Sequence, residues 1–177
     1  MVRGHKQKAL VILGVSLALL VASCSESSVP RNFTPLDTLI LYSNLPSGWK
    51  TTYGPGPGRG GIRKGNNAAV SFSREIPGDV LVISHESFRF PNSYTAQLSY
   101  ERDFGNYGQP NSAWTFRSKV ADEQKLTCSE RGCWWAARYQ EYVVNLGATI
   151  RQGEFDLSDM ERLVRIADDK ITRLMRQ

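Results

Sequence analysis

The sequence predicts an α+β domain: an antiparallel sheet of about four or five strands, packed by a C-terminal amphipathic helix and shorter helices. Three observations predict it. Residues 158–175 place Met160, Leu163, Val164, Ala167, Ile171, Leu174 and Met175 at helical intervals, with Arg162, Arg165, Asp169 and Arg176 on much of the remaining surface. Residues 80–90 are rich in β-branched and aromatic side chains and follow Pro77-Gly78-Asp79, so with residues 68–74 they read as a hairpin. Residues 113–128 and 133–148 read as two more strands, separated by Ser129-Glu130-Arg131-Gly132.

The N-terminus comes first in the chain and sets the compartment. Arg3, Lys6 and Lys8 precede an apolar run from Ala9 to Ala22, interrupted only by Gly14 and Ser16. A charged start followed by such a run reads as a secretory signal. Fourteen residues at ~1.5 Å rise cover roughly 21 Å, short of the ~30 Å hydrocarbon core, so a spanning helix is disfavoured. Val21-Ala22-Ser23-Cys24 then resembles the lipobox of bacterial lipoproteins. That resemblance implies diacylglycerol on the Cys24 sulfur and cleavage before it by signal peptidase II. The expected organisation is a signal peptide over residues 1–23, lipidated Cys24 with a tether through residue 35, and one extracytoplasmic domain over residues 36–177. The implied location is the outer surface of the cell membrane, or the outer membrane, with acyl chains as the membrane contact.

Removing the signal changes the charge argument. Three of the 22 basic residues and none of the 17 acidic ones precede Cys24, so the rest carries 19 against 17, a net charge near +2. Nucleic acid is not an expected partner, because neither a basic run nor a strongly basic balance remains. In an oxidising compartment Cys128 and Cys133 read as a disulfide. A redox pair normally has two intervening residues, and zinc needs two further ligands that this chain lacks.

The other elements follow in order. Residues 36–45 contain Leu36, Leu39, Ile40 and Leu41, a spacing that predicts a short helix ending at Pro46. Asn44-Leu45-Pro46-Ser47-Gly48-Trp49 resembles the Leu-Pro-x-Gly-Trp opening of several small bacterial lipoprotein domains, where a helix hands over to the first strand. Residues 54–61 (GPGPGRGG) hold Gly56-x-Gly58-x-x-Gly61, the spacing of a dinucleotide loop. That chemistry needs a strand before the loop and a helix N-terminus after it. Pro57 interrupts the loop and a strand follows, so the stretch reads as a flexible loop with no cofactor. Asn92 or Ser93 caps a helix running to about Phe104, and a loop covers residues 105–112. Ser158 and Glu161 form a capping box for the last helix. Layouts of this kind are similar to PsbP/Mog1-like lipoprotein domains.

Chemistry-bearing residues are sparse. His85 stands beside Glu86, but neighbours on a strand point to opposite faces and cannot share a site directly. No nucleophile elbow, paired-histidine motif or carboxylate dyad appears, and no catalytic, cofactor or metal residues are assigned. Aromatics are a weaker but more interesting clue: Phe88, Phe90, Tyr94, Tyr100, Phe104, Tyr107, Trp114 and Phe116, then Trp134, Trp135, Tyr139 and Tyr142. Most are expected in the core. Trp134 and Trp135 point opposite ways on a strand, so one of them, with Arg138, is the expected binding surface for a protein or glycan partner. The functional reading is therefore a lipid-anchored interaction or accessory module of the cell envelope. Its alternatives are a lipoprotein holding a small ligand in an aromatic-lined cavity and, third, a hydrolase around His85. A deep apolar pocket favours the second, and an acid, Ser or Cys within reach of His85 favours the third.

Overall fold

The computed structural model describes residues 30–58, 66–105, 111 and 113–177. The signal stretch, Cys24, Gly61 and Tyr107 lie outside the described residues. The described chain forms one six-stranded antiparallel sheet: β1 (Lys50–Pro57), β2 (Asn67–Ile76), β3 (Asp79–Arg89), β4 (Glu123–Ser129), β5 (Gly132–Tyr139) and β6 (Tyr142–Ala148). Their spatial order is β1-β2-β3-β6-β5-β4. Two three-stranded meanders thus join where β3 meets β6, with Ile83 opposite Ala148 and Arg89 opposite Tyr142. The helices are α1 (Pro35–Thr38), α2 (Ser93–Tyr100) and α3 (Leu157–Met175).

The α+β class and the antiparallel sheet stand, while the strand count rises to six. One added strand comes from the expected single strand over 133–148. It is two strands, because Gln140 takes φ 53° and reverses the chain between Tyr139 and Tyr142. The other is β1, which starts at Lys50, directly after Trp49 where a first strand was expected, but runs on through residues 54–57 of the stretch read as a loop. Prolines lack an amide donor and are tolerated on an edge strand, which is where β1 lies. Its pairing with β2 shifts register near Tyr53, and Gly54 takes φ 69° there. A Cβ on Gly54 would stand 2.3 Å from the Ala69 carbonyl oxygen, so only glycine fits this crossing.

Three shorter expectations change as well. The helix expected over 36–45 divides into the single turn of α1 and a 3₁₀ turn at Tyr42–Asn44. Between them the chain is extended, so that Leu39 and Ile40 drop onto the sheet while Leu36 and Leu41 stay exposed. The strand expected over 113–128 is regular only from Glu123. Ahead of it the Ser118 hydroxyl accepts from the Val120 and Ala121 amides, holding a turn in place of a ladder. The cap of α3 is Asp156, whose carboxylate accepts from the Ser158 and Asp159 amides at 2.8 and 3.2 Å. It sits two residues before the expected Ser158. The cap of α2 is the expected one: Asn92 Oδ1 accepts from the Thr95 amide at 2.8 Å.

One sheet face carries the main core. Val70 and Phe72 of β2, Leu81 and Ile83 of β3, Trp135 and Tyr139 of β5, and Val144 and Leu146 of β6 point to it. Against them lie Met160, Leu163, Val164, Ala167 and Ile171 of α3, the apolar stripe that the spacing predicted. Residues expected in the tether also join this side. Phe33 is buried and stacks on Tyr142 at 4.9 Å, and the Tyr142 hydroxyl donates to the Phe33 carbonyl. Arg31 donates to Glu141 at 2.9 Å, so the folded part takes in Arg31 and Phe33, ahead of the boundary expected after Pro35.

Cys128 and Cys133 are joined by a disulfide at directly opposed positions of β4 and β5. The loop it closes is short, so the chain-entropy contribution is about 2 kcal/mol. Reduction of the folded protein is expected to lower the urea unfolding free energy by about that amount without loss of the sheet. Unfolding curves with and without a phosphine reductant, followed by circular dichroism, check this. An unchanged midpoint would contradict it.

Candidate functional site

Among the described residues, the second sheet face is covered only in part. On β3, side chains of even number point here, so Glu86 and Phe88 face away from His85. The helix α2 crosses this face, packing Ala96 and Tyr100 on Ala136 and Val143. At eight residues α2 cannot span the sheet, and one wider turn of π-helix, Glu101–Gly105, extends it. Between this extension and the sheet lies a pocket of about 470 Å³.

Phe88, Phe90, Phe104 and Val143 form the apolar wall of the pocket. Asn66, Asn67 and Glu86 stand at one side, and Ser99, Arg102 and Asp103 at the other. Register explains the first set: Asn67 is opposite Phe88 on β2, and Val143 is opposite Phe88 on β6. On the helical side Arg102 Nε donates to Asp103 at 2.7 Å and the Ser99 hydroxyl donates to the same carboxylate at 3.1 Å. The Arg102 hydrogen bond holds the Asp103 carboxyl below its ordinary range. Tyr100, beneath α2, is pushed up to about 12, by burial first and the Glu123 charge second. Arg89 lies 5.6 Å over the Tyr142 ring and 3.7 Å from Glu141, so its charge is shared with the core boundary.

A second hollow of about 110 Å³ shares Phe104 with the first and is lined by Lys125, Thr127, Trp134, Ala136 and Asn145. Trp134 crosses Gly147 here. A Cβ on Gly147 would stand 2.9 Å from the indole ring, so the absent side chain makes room for the tryptophan. Beyond it, among the described residues, the face is open: Val80, Val82 and Trp134 are 48 %, 43 % and 38 % exposed.

The structure separates the residues singled out from sequence. Trp134 is on the second face, whereas Trp135 is 0 % exposed in the core, its Nε1 donating to Gln124 at 3.4 Å. Trp135 therefore leaves the binding-surface set. Arg138 shares Trp134's face but is folded onto Asp122 and Glu123 at 3.0 and 2.8 Å. His85 is fully buried, and its Nδ1 accepts from the Ile40 amide at 2.9 Å. Burial lowers its pKa to about 3, with the Lys170 charge a smaller cause. Among the described residues no Ser, Cys or acid hydrogen-bonds it, so His85 serves as a structural acceptor for the segment that covers the sheet.

Of the aromatics, Phe88, Phe90 and Phe104 line the pocket, Trp114 and Phe116 enter the main core, and Tyr94 is exposed. No protein-family model, curated protein or solved structure matches the chain. Asn67, Ser99, Arg102 and Asp103 were not singled out from sequence, and Glu86 was named only as the neighbour of His85. Glu86 and Phe88 carried a usable signal, since both lie on the strand face opposite His85. Arg102 and Asp103 carried none, because their place depends on how α2 lies across the sheet.

Proposed function

We propose that the chain is a lipid-anchored extracytoplasmic module of the cell envelope that holds a small amphipathic ligand between α2 and the sheet. The observation that carries this reading is the pocket of about 470 Å³ with three phenylalanines on its apolar wall and polar groups on both sides. Its size and its mixture of apolar surface with a few polar groups match small-molecule sites in general. The apolar body of a ligand would rest on Phe88, Phe90 and Phe104, with a hydrogen-bonding head at Asn66, Asn67 and Glu86. The compartment part of the reading is supported by the resemblance of Val21-Ala22-Ser23-Cys24 to a lipobox and by the disulfide, which suits an oxidising environment.

A second reading, docking of a protein or glycan partner, is favoured by the exposed Val80, Val82 and Trp134 on the open half of the same face.

The test of the pocket uses prodan, a neutral amphipathic fluorophore. Saturable one-to-one binding with a blue-shifted emission is expected. Phe88→Asp, which sets a carboxylate against the apolar wall, should weaken it at least tenfold, about 1.4 kcal/mol. Non-saturable binding, or equal affinity in the variant, would reject the ligand reading.

A further inference from the structure

We propose that the end of the domain where the chain enters is an electrostatic docking face for an anionic lipid surface. The inference rests on the lipid-anchor reading, because the length of chain between Cys24 and the fold is part of the argument.

Residues 116–120 and the C-terminal half of α3 enclose a groove of about 610 Å³. Arg117, Lys119, Arg165, Arg173 and Arg176 line it, against Asp168 and Asp169. Asp168 is buried and accepts from the Tyr139 hydroxyl at 2.6 Å. Arg165 is engaged with Glu161 and lies 4.6 Å over the Phe116 ring. Arg117, Lys119, Arg173 and Arg176 form no ion pair among the described residues. Arg117 and Lys119 are exposed. A chain with a net charge near +2 after Cys24 thus sets four cations without ion pairs against one exposed acid, Asp169, in a single groove.

The groove and the point of chain entry share one end of the molecule. Asp122, two residues after Val120, accepts from the Gln140 amide at 2.6 Å and from Arg138 at 3.0 Å. Arg31 in turn donates to the Gln140 and Glu141 side chains. Of the acids at this end, Asp122 and Glu123 are engaged by Arg138, and Glu141 by Arg31 and Arg89; exposed Asp169 is the groove acid with no ion pair among the described residues. Between Cys24 and Arg31 the chain has only six residues, so even full extension spans about 25 Å. An acyl-bearing Cys24 consequently keeps this end, and not the Lys50 end of the sheet, near the headgroups. Cations within a Debye length of an anionic surface, about 8–10 Å, are attracted to it.

The test uses the full lipid-anchored chain reconstituted in vesicles of phosphatidylcholine, with or without phosphatidylglycerol. A short pulse of amine acetylation is read by peptide mass spectrometry at Lys119, with Lys50 as the internal reference. Lys119 should be acetylated about fivefold more slowly on the phosphatidylglycerol vesicles, with Lys50 unchanged. The double substitution Arg173→Gln and Arg176→Gln should shrink that protection. Equal labelling of Lys119 on both vesicles overturns the proposal. Equivalent protection by excess inorganic phosphate on phosphatidylcholine alone also overturns it, by assigning the groove to a soluble anion. The same spectra report the mass of the N-terminal peptide: an unmodified Cys24 or a retained Met1 overturns the anchor reading separately.

Discussion

Trp135→Ala is expected to destabilise the domain by about 3–5 kcal/mol, the range for removing a large aromatic from a packed core. The neighbouring Trp134→Ala should cost less than about 1 kcal/mol. The two differ because a strand sends successive side chains to opposite faces. Trp135 sits between Leu126 of β4 and Leu146 of β6, both buried, and the core cluster that contains it also holds the apolar stripe of α3. Its loss opens a cavity that the flanking strands cannot close without breaking their ladders. Trp134 instead lies over Gly147 with 38 % of its surface in water. Since ordinary domains are stable by only about 5–15 kcal/mol, the first substitution removes a large share of the total. Urea unfolding followed by circular dichroism measures both. Equal losses for the two tryptophans would contradict the face assignment.

Acid is expected to destabilise the domain from about pH 6.5 downward. His85 has a pKa of about 3 in the fold, lowered by burial, against an ordinary value of 6.5. Between those values the unfolded chain binds a proton that the folded chain does not. Stability therefore rises with pH across this window, is complete above 6.5, and falls by up to about 1.4 kcal/mol per unit as the pH drops. Protonation would place a cation beneath Ile40, near Lys170, whose Nζ donates to the Leu39 carbonyl at 2.6 Å. Carboxyls held below their ordinary range, such as Asp37 and Asp156, add losses only at lower pH. The other histidine of the chain, His5, precedes Cys24. Unfolding free energies of the wild type and His85→Gln between pH 7 and about pH 4 separate the contributions. The variant should show a flatter profile over that range, and parallel profiles would refute the role given to His85.

How much of this was legible in the sequence depends on whether the determinant was local. The α3 stripe, the β2–β3 hairpin and the Asn92 cap are each specified by residues within a few positions of one another, and each was readable. The β5–β6 reversal was not, because Gln140-Glu141 carries no glycine, proline or asparagine to mark it. The extent of β1 was hidden by two prolines and three glycines within residues 54–58, residues that an edge position tolerates but a sequence pattern reads as loop. The extended path of Leu39 to Leu41 is fixed by a contact 45 residues away, the Ile40 amide on His85. For the site, alternation along β3 already placed Glu86 and Phe88 together and away from His85. Opposing Phe104, Arg102 and Asp103 to them requires the docking of α2 on Ala136 and Val143, which is a tertiary event.

The central claim is that the pocket beneath α2 takes up an amphipathic molecule. Its most direct test is a map of backbone amide shifts by nuclear magnetic resonance during titration with prodan. The largest saturable shifts are expected at Glu86, Phe88, Phe104 and Val143, with the α3 face unmoved. Shifts confined to Val80, Val82 and Trp134, or none that saturate, would contradict it.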